Sequence, residues 1–254
     1  MKYNDMKFKT PIESETYKSD SDYVVASIES IIENAIKTGN NKIILNTNLK
    51  LGLPMENINK IAGPIIEAWA YETFCGIQDD LTNVYNLINV ESRPRLDMAD
   101  ILMQFKKNNT SVTANVDAKA TAEDIKNSGK SPNITSYSRI RTAYIKDPDF
   151  MFLILSLKHK VYSERNPVSR LMDGVMEIVR YNAYDLKYIS EDDISYNPAL
   201  GTGQIQIKDI HYVECGYRTT WEFCQLLDKK YLNSSRRTIS DWHREAVKNK
   251  WIKE

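Results

Sequence analysis

The feature that most constrains the fold is an apolar run of eight residues, FMFLILSL, at positions 150–157. A strand with one face in water alternates apolar and polar residues, whereas a strand covered on both faces stays apolar throughout. The run therefore predicts a central strand that is buried on both sides. The preceding stretch, residues 135–146, can form a helix that crosses over the sheet.

Further helices and strands are predicted from the spacing of apolar residues along the chain. Helices are expected at residues 20–38, 55–74, 219–232 and 238–250. Strands are expected at residues 84–90, 99–105, 112–116 and 204–214, with a hairpin turn at 106–109. The pattern predicts an α/β (α+β) fold in which helices flank a mixed central β-sheet, and a single domain spanning residues 1–254.

Charge and cysteine content restrict the function only weakly. The 34 basic and 34 acidic residues cancel, so a nucleic-acid surface would have to come from local clustering of charge. Three widely spaced cysteines match neither a disulfide framework nor a zinc site, which favours a reducing intracellular compartment. No apolar run reaches the roughly 20 residues that a membrane span needs. We therefore expect a soluble protein without a membrane partner.

The tripeptide Asp117-Ala118-Lys119 carries the clearest chemistry. In an extended strand, residues i and i+2 project from the same face, so this carboxylate and this ammonium group can converge on one phosphate. The D-x-K pattern is weak by itself, because it also occurs at Asp5, Asp124, Asp185 and Asp228. Asp117 differs from these four because it ends a β-prone run whose predicted hairpin partner carries another acid, Asp100.

Two acids and a lysine can provide the protein side chains that metal-dependent phosphodiester hydrolysis needs. The reaction needs a divalent cation, carboxylates to hold it, and a cationic group to orient water. Asp100, Asp117 and Lys119 provide these groups if the hairpin forms. The alternative is a solvated cluster of charges at a strand end, which composition alone favours because charged residues usually mark a solvated surface.

Four parts of the chain, one of them a core made of two stretches, resemble one family of nucleases and occur in the same order along the chain. Residues 96–102 (LDMADIL) and 117–119 (DAK) resemble the core of the PD-(D/E)XK superfamily, with Asp100 matching its first acid. Residues 128–134 (SGKSPNI) look like the loop after the catalytic lysine in the HincII group of restriction enzymes. Residues 62–71 (AGPIIEAWAY) are similar to that group's first core helix, and residues 197–206 (NPALGTGQIQ) to its late DNA-contacting segment.

This resemblance implies a Type II restriction endonuclease that cuts both strands of double-stranded DNA as a homodimer. It implies that Asp100, Asp117 and the carbonyl of Ala118 bind Mg²⁺, and that Lys119 positions or deprotonates water. The implied substrate is a palindrome of the GTYRAC type, with GTTAAC the narrower choice, cut at its centre to blunt ends. A cognate DNA methyltransferase would complete the restriction-modification system in the cytoplasm of a prokaryotic cell.

The resemblance also divides the expected single endonuclease domain into three segments. Residues 20–75 would form N-terminal helices with dimer contacts, residues 84–162 the catalytic core sheet, and residues 163–254 the DNA-contacting segment and closing helices. Within the first segment, Glu67 is either an additional carboxylate of the site or a glutamate on the helix surface.

DNA contacts are expected from amide, hydroxyl and basic side chains. An asparagine can pair with an adenine edge, which suggests base reading by Asn133 and Asn197. Both asparagines lie beside proline, however, where asparagine is also a common turn residue. The basic side chains suit phosphates. The expected DNA-binding residues are Lys126, Lys130, Ser131, Asn133, Arg139, Arg141, Asn197, Gln204 and Gln206.

Two departures from the HincII pattern affect its expected chemistry. Ala120 stands where a threonine commonly follows the catalytic lysine, and Lys130 where a glutamine would wedge into the DNA stack. Two other functions also remain open. Residues 219–250 could form a helix-turn-helix DNA-binding protein that reads through Arg236 and Arg237, and a structure-specific repair nuclease could share the catalytic residues.

Overall fold

The computed structural model describes residues 2–80, 82–199 and 201–253. Its helices are α1 (Tyr17–Lys37), α2 (Met55–Gln78), α3 (Tyr137–Lys146), α4 (Thr220–Leu232) and α5 (Ile239–Lys248). Its strands are β1 (Lys42–Leu45), β2 (Leu87–Ser92), β3 (Ile101–Lys107), β4 (Thr110–Ala122), β5 (Asn133–Ser136), β6 (Phe152–Arg165), β7 (Met172–Asp185), β8 (Ile194–Asn197) and β9 (Gln204–Ile207). Within the described ranges, no helix is long and apolar enough to cross a membrane.

The strands form two sheets, and the chain divides into two compact units. Six strands pair in the order β1-β7-β6-β4-β3-β2, and three in the order β5-β9-β8. The large-sheet unit comprises Asp22–Gly129 and Leu153–Tyr184, and the small-sheet unit comprises Met1–Ser21, Lys130–Phe152 and Asp185–Glu254. The predicted mixed sheet flanked by helices is confirmed. The expectation of a single endonuclease domain stays a prediction.

Residues 152–157 of the apolar run form the first part of β6, which has β4 on one side and β7 on the other, whereas Phe150 and Met151 precede the strand. Every residue from 152 to 157 is fully buried. Water is therefore excluded from both faces of this strand, as the unbroken apolar pattern predicts.

The hairpin that leads to the D-x-K tripeptide also forms as predicted. Asn108 and Asn109 make the two-residue turn between β3 and β4, with φ angles of 48° and 67°. Asparagine tolerates this left-handed conformation better than most residues, and such turns match the twist of paired strands. The resulting register places Ile101 opposite Val116. Helix α1 contributes Tyr23, whose ring lies 6.3 Å from that of the buried Phe105, and α2 packs against β2 and β4.

In the small-sheet unit, β9 alternates between buried and partly exposed residues. Ile205 and Ile207 are fully buried, whereas Gln204 and Gln206 are partly exposed. The predicted closing helices are confirmed, and each begins with a capping box. Thr219 and Glu222 cap α4, and Thr238 and Asp241 cap α5, so two backbone N–H groups at the start of each helix are satisfied.

The strand expected at 204–214 is wrong beyond residue 207. The Asp209 side chain accepts a hydrogen bond from the His211 backbone N–H at 3.0 Å, which closes a turn. Strands β1, β5, β7 and β8 were not predicted. In β7 the polar and small residues obscure the pattern: Asp173 is buried, and a Cβ atom at Gly174 would lie 2.8 Å from Ile58 of α2. The glycine leaves room for this close approach of the Ile58 side chain.

Candidate active site

The β3–β4 hairpin brings the predicted acids together. Asp100 immediately precedes β3, and its backbone N–H donates to the carbonyl of Val116 at 3.0 Å. Its Oδ2 atom accepts a hydrogen bond of 2.9 Å from the N–H of Ala118. Asp117 lies between these two backbone contacts, so the strand register sets Asp100 beside the D-x-K tripeptide.

Lys119 and Asp117 form an ion pair at the end of this hairpin. The Lys119 Nζ atom lies 2.7 Å from Asp117 Oδ1, and the two side chains are 25% and 4% exposed, respectively. The second carboxylate oxygen of Asp117, Oδ2, is buried and has no hydrogen-bond partner among the described residues. Half of this carboxylate therefore lacks the donor or cation that a buried charge requires.

The electrostatics of the pair follow from this burial. Removal from water raises the pKa of Asp117 to about 7, even though Lys119 opposes the shift, and Asp100 adds to it. Burial by itself would lower the pKa of Lys119, but the nearby carboxylates of Asp117, Asp100 and Glu67 outweigh that effect and raise it above its usual value. Lys119 is therefore cationic at neutral pH.

Helix α2 adds Glu67 to the same neighbourhood. This side chain is partly buried, and burial followed by repulsion from Asp100 raises the pKa of its carboxyl group, while Lys119 opposes the rise. Glu67 thus interacts electrostatically with all three predicted catalytic residues, Asp100, Asp117 and Lys119. In the sequence, Glu67 is indicated by its position on the helix predicted at residues 55–74, which is expected to pack on the sheet.

The site residues fit a divalent cation by their chemistry. Carboxylate and carbonyl oxygens are the ligands that Mg²⁺ and Ca²⁺ prefer, and Asp117 Oδ2 has an unsatisfied lone pair in a buried position. Within the described ranges, no three His, Cys, Asp or Glu side chains already form a metal-binding cluster. The fit therefore depends on Asp100 and Asp117 with a backbone oxygen.

A second candidate region lies on the three-stranded sheet of the small-sheet unit. The antiparallel register pairs Gln206 with both Asn133 and Ser195, and Gln204 with Asn197. Directly paired residues share a face of a sheet, and we call this set of five residues the small-sheet polar face. It brings together Asn133, Asn197, Gln204 and Gln206, which were predicted to bind DNA. Ser195 was missed, although the alternation in residues 194–197 (ISYN) indicates it.

The loop before β5 is attached to this face through Gln206. Its Nε2 atom donates to the Asn133 Oδ1 atom and to the carbonyl of Ser131, each at 3.0 Å. Ser131 has a φ angle of 49°. The side chain of Lys130 forms an ion pair with Asp209, which compensates its charge.

The other predicted basic residues separate into exposed and buried groups. Lys126 and Arg139 are exposed, as a phosphate contact requires. Arg141 is wholly buried, and its Nε and Nη2 atoms each donate to Asp228 at 3.1 Å. The prediction that Arg141 binds DNA is therefore wrong, because its guanidinium group forms a two-pronged ion pair inside the small-sheet unit.

A family model and a curated relative identify the same family for this chain. A family model described as Type II restriction endonuclease HpaI matches residues 4–250. The chain is 62% identical to the Type II restriction enzyme HpaI of Haemophilus parainfluenzae, over the full length of both proteins. Among solved structures, the NlaIV restriction endonuclease is similar at a TM-score of 0.45 and 11% identity, covering 86% of this chain and 83% of that one.

The chain therefore belongs to the HpaI family of Type II restriction endonucleases. It is a nuclease that hydrolyses phosphodiester bonds of double-stranded DNA, and enzymes of this type use divalent metal ions. The expectation of a Type II restriction endonuclease is confirmed. Family membership decides against both alternatives, the non-enzymatic helix-turn-helix protein and the repair nuclease.

The raised pKa of Asp117 predicts a pH-dependent stability of the metal-free protein. Between about pH 4 and pH 7, the unfolded chain releases a proton that the folded protein keeps, so folding stability falls as pH rises through this window. Asp117→Asn removes the charge and should stabilise the metal-free protein above about pH 7 by at most about 4 kcal/mol. The gain should disappear near pH 4. Urea unfolding in EDTA across this pH range measures it, and parallel pH profiles for the two proteins would contradict the assignment.

Proposed function

We propose that Asp100, Asp117 and the carbonyl of Ala118 bind Mg²⁺, and that Lys119 acts on the attacking water. The observation that carries this proposal is the buried Oδ2 atom of Asp117, which has no hydrogen-bond partner in the part of the chain that the structure describes. The adjacent Oδ1 atom already binds Lys119, so an oxygen-ligated cation is the group that would complete the carboxylate. Glu67 is proposed as a further carboxylate in electrostatic contact with the site.

The chain's own residues have separate roles in this proposal. When bound, a divalent ion supplies Lewis-acid polarisation of a phosphate oxygen. Lys119 orients the water and offsets the negative charge that develops on the phosphate. Without a bound cation the neighbouring carboxylates raise the pKa of its ammonium group, whereas a cation held by the same carboxylates would lower it. Both the electrostatic role and that of a general base are therefore kept in this proposal. Water attacks phosphorus and gives up a proton as the bond from phosphorus to the 3′ oxygen breaks, and the 3′ oxygen takes up a proton, so the ends carry 5′-phosphate and 3′-hydroxyl groups.

Asp117→Asn and Lys119→Ala should each reduce the cleavage rate by at least about a hundredfold, because the first removes a ligand of the cation and the second removes the ammonium group that offsets negative charge on the phosphate. Binding to the specific DNA site should persist. Single-turnover cleavage with Mg²⁺ measures the loss, and EDTA should abolish cleavage by the wild-type enzyme. The matched control is Asp124→Asn, in the exposed D-x-K tripeptide at 124–126, which should cleave normally.

A measurement independent of cleavage tests the metal ligand. Mg²⁺ should raise the melting temperature of the wild-type protein, because it binds only the folded state, and should have little effect on Asp117→Asn. Wild-type cleavage rates in either active-site variant would contradict the proposed site, as would equal stabilisation of both proteins by Mg²⁺.

The small-sheet polar face is proposed to read base edges. Asparagine and glutamine offer a donor and an acceptor on one planar group, which matches adenine, and this face aligns Asn133, Asn197, Gln204 and Gln206. Lys126 and Arg139 are proposed to contact phosphates, because both are exposed. The proposal extends to Lys130 and Ser131 in the loop before β5, with Lys130 exchanging its Asp209 partner for a phosphate.

The proposed assembly is a two-fold homodimer, in which residues 20–75 contribute contacts. A palindrome presents two equivalent scissile phosphates, and one active site per chain reaches only one of them. Sedimentation of the enzyme with a duplex containing one site should therefore give two chains per duplex in the presence of Ca²⁺. A stable complex with one chain per duplex would contradict the dimer.

The proposed substrate is a palindrome of the GTYRAC type, most narrowly GTTAAC, cut at its centre. The enzyme would act in the cytoplasm of a prokaryotic cell, alongside a DNA methyltransferase that modifies the same sequence.

The ends that the enzyme generates from a random duplex library should be blunt and should lie within the GTYRAC sequence. Asn133→Ala should lose about 1–3 kcal/mol of discrimination at one base pair. Staggered ends or an unrelated site would contradict the specificity while leaving the nuclease assignment intact.

A further inference from the structure

We infer that Arg237 is a positioning residue, which holds the described parts of the β8–β9 loop, residues 198–199 and 201–203, in the conformation that DNA recognition requires. Arg237 lies in the turn between α4 and α5, directly before the Thr238 cap of α5. The inference rests on the proposed base-reading role of Asn197, the last residue of β8. In this inference Arg237 supports Asn197 through the loop and does not itself contact DNA.

The guanidinium group of Arg237 binds both halves of the loop. Its Nη2 atom donates to the carbonyl of Pro198 at 3.1 Å and to that of Gly201 at 2.6 Å. Its Nε atom donates to the Tyr196 hydroxyl at 2.8 Å, and the group lies 5.5 Å from the centre of the Tyr231 ring. A single side chain from the helix turn thus fixes two carbonyls of the β8–β9 connection.

Tyr196 extends this support to the end of the loop. Its hydroxyl accepts from Arg237 and donates to the carbonyl of Thr202 at 2.8 Å. Gly203 has a φ angle of 88°, and a Cβ atom there would lie 2.2 Å from the Tyr196 ring. The ring therefore packs directly on the glycine backbone, and the orientation of Tyr196 sets the path by which the chain enters β9.

The two ends of the loop carry residues of the small-sheet polar face. Asn197 and Gln204 are paired across β8 and β9, and Asn197 Oδ1 accepts from the N–H of Ala199 at 3.0 Å. Loss of the guanidinium bonds would release the backbone that orients these two amides. Because the bonds require a planar fork that reaches several acceptors, a lysine would keep the charge but not the support.

The experiment compares Arg237→Ala, Arg237→Lys and the control Arg236→Ala, in which the neighbouring exposed arginine is removed. Binding to a GTTAAC duplex and to an unrelated duplex is measured by fluorescence anisotropy with Ca²⁺ at several salt concentrations. Both Arg237 variants should bind the specific duplex about ten- to a hundredfold more weakly, from the lost hydrogen bonds to a charged group. Unrelated DNA should bind as before, and Arg236→Ala should keep the wild-type preference for the specific duplex.

Two binding results would overturn the inference. Wild-type binding by Arg237→Lys would show that charge alone suffices, and equal weakening on both duplexes with a shallower salt dependence would indicate a phosphate contact. Hydrogen exchange tests the support of the loop by Arg237 without depending on the proposed base reading by Asn197. Amides at 201–203 should exchange faster in Arg237→Lys, and unchanged exchange would refute the support. If Asn197→Ala still discriminated fully between the specific and the unrelated duplex, base reading by Asn197 would be refuted instead.

Discussion

Burial of one carboxylate is the constraint on which the candidate active site depends. Strand β4 places Asp117 where only 4% of its side chain is exposed, so its charged form is unfavourable unless a positive group stands close by. Lys119 provides part of that compensation, whereas Asp100 and Glu67 oppose it, and the pKa of Asp117 stays near 7. A proton and a divalent cation would compete for this carboxylate, which couples metal binding to pH.

The small-sheet polar face exists because the opposite face of the same sheet is buried in the core. Because successive residues of a strand point to opposite faces, burying Ile205 and Ile207 directs Gln204 and Gln206 to the other side. Pairing with β5 and β8 then aligns further polar side chains with these two amides. The amide array is therefore a consequence of core packing, and the loops at its ends determine how well it is ordered.

Arg139 and Arg141 show that a cluster of basic residues in the sequence does not by itself indicate which of the side chains are exposed. Both were assigned to phosphate contacts because they occur in one basic stretch, yet residues i and i+2 of a helix point to different sides. The buried residues of α3 are Tyr137, Ile140, Arg141 and Tyr144, and this helical spacing was present in the sequence. The spacing indicates an inward side chain, but it does not identify Asp228, which lies 87 positions away.

The sequence by itself determined the helices, the β3–β4 hairpin, the doubly buried β6 and the order of Asp100, Asp117 and Lys119, because each depends on spacing within a short stretch. Only the tertiary structure decided the pairing of β5 and β8 with β9, the burial of Arg141 and the raised pKa of Asp117. These properties arise from contacts between residues that are distant along the chain. Their energies depend on how completely water is excluded, which no local pattern of residue types records.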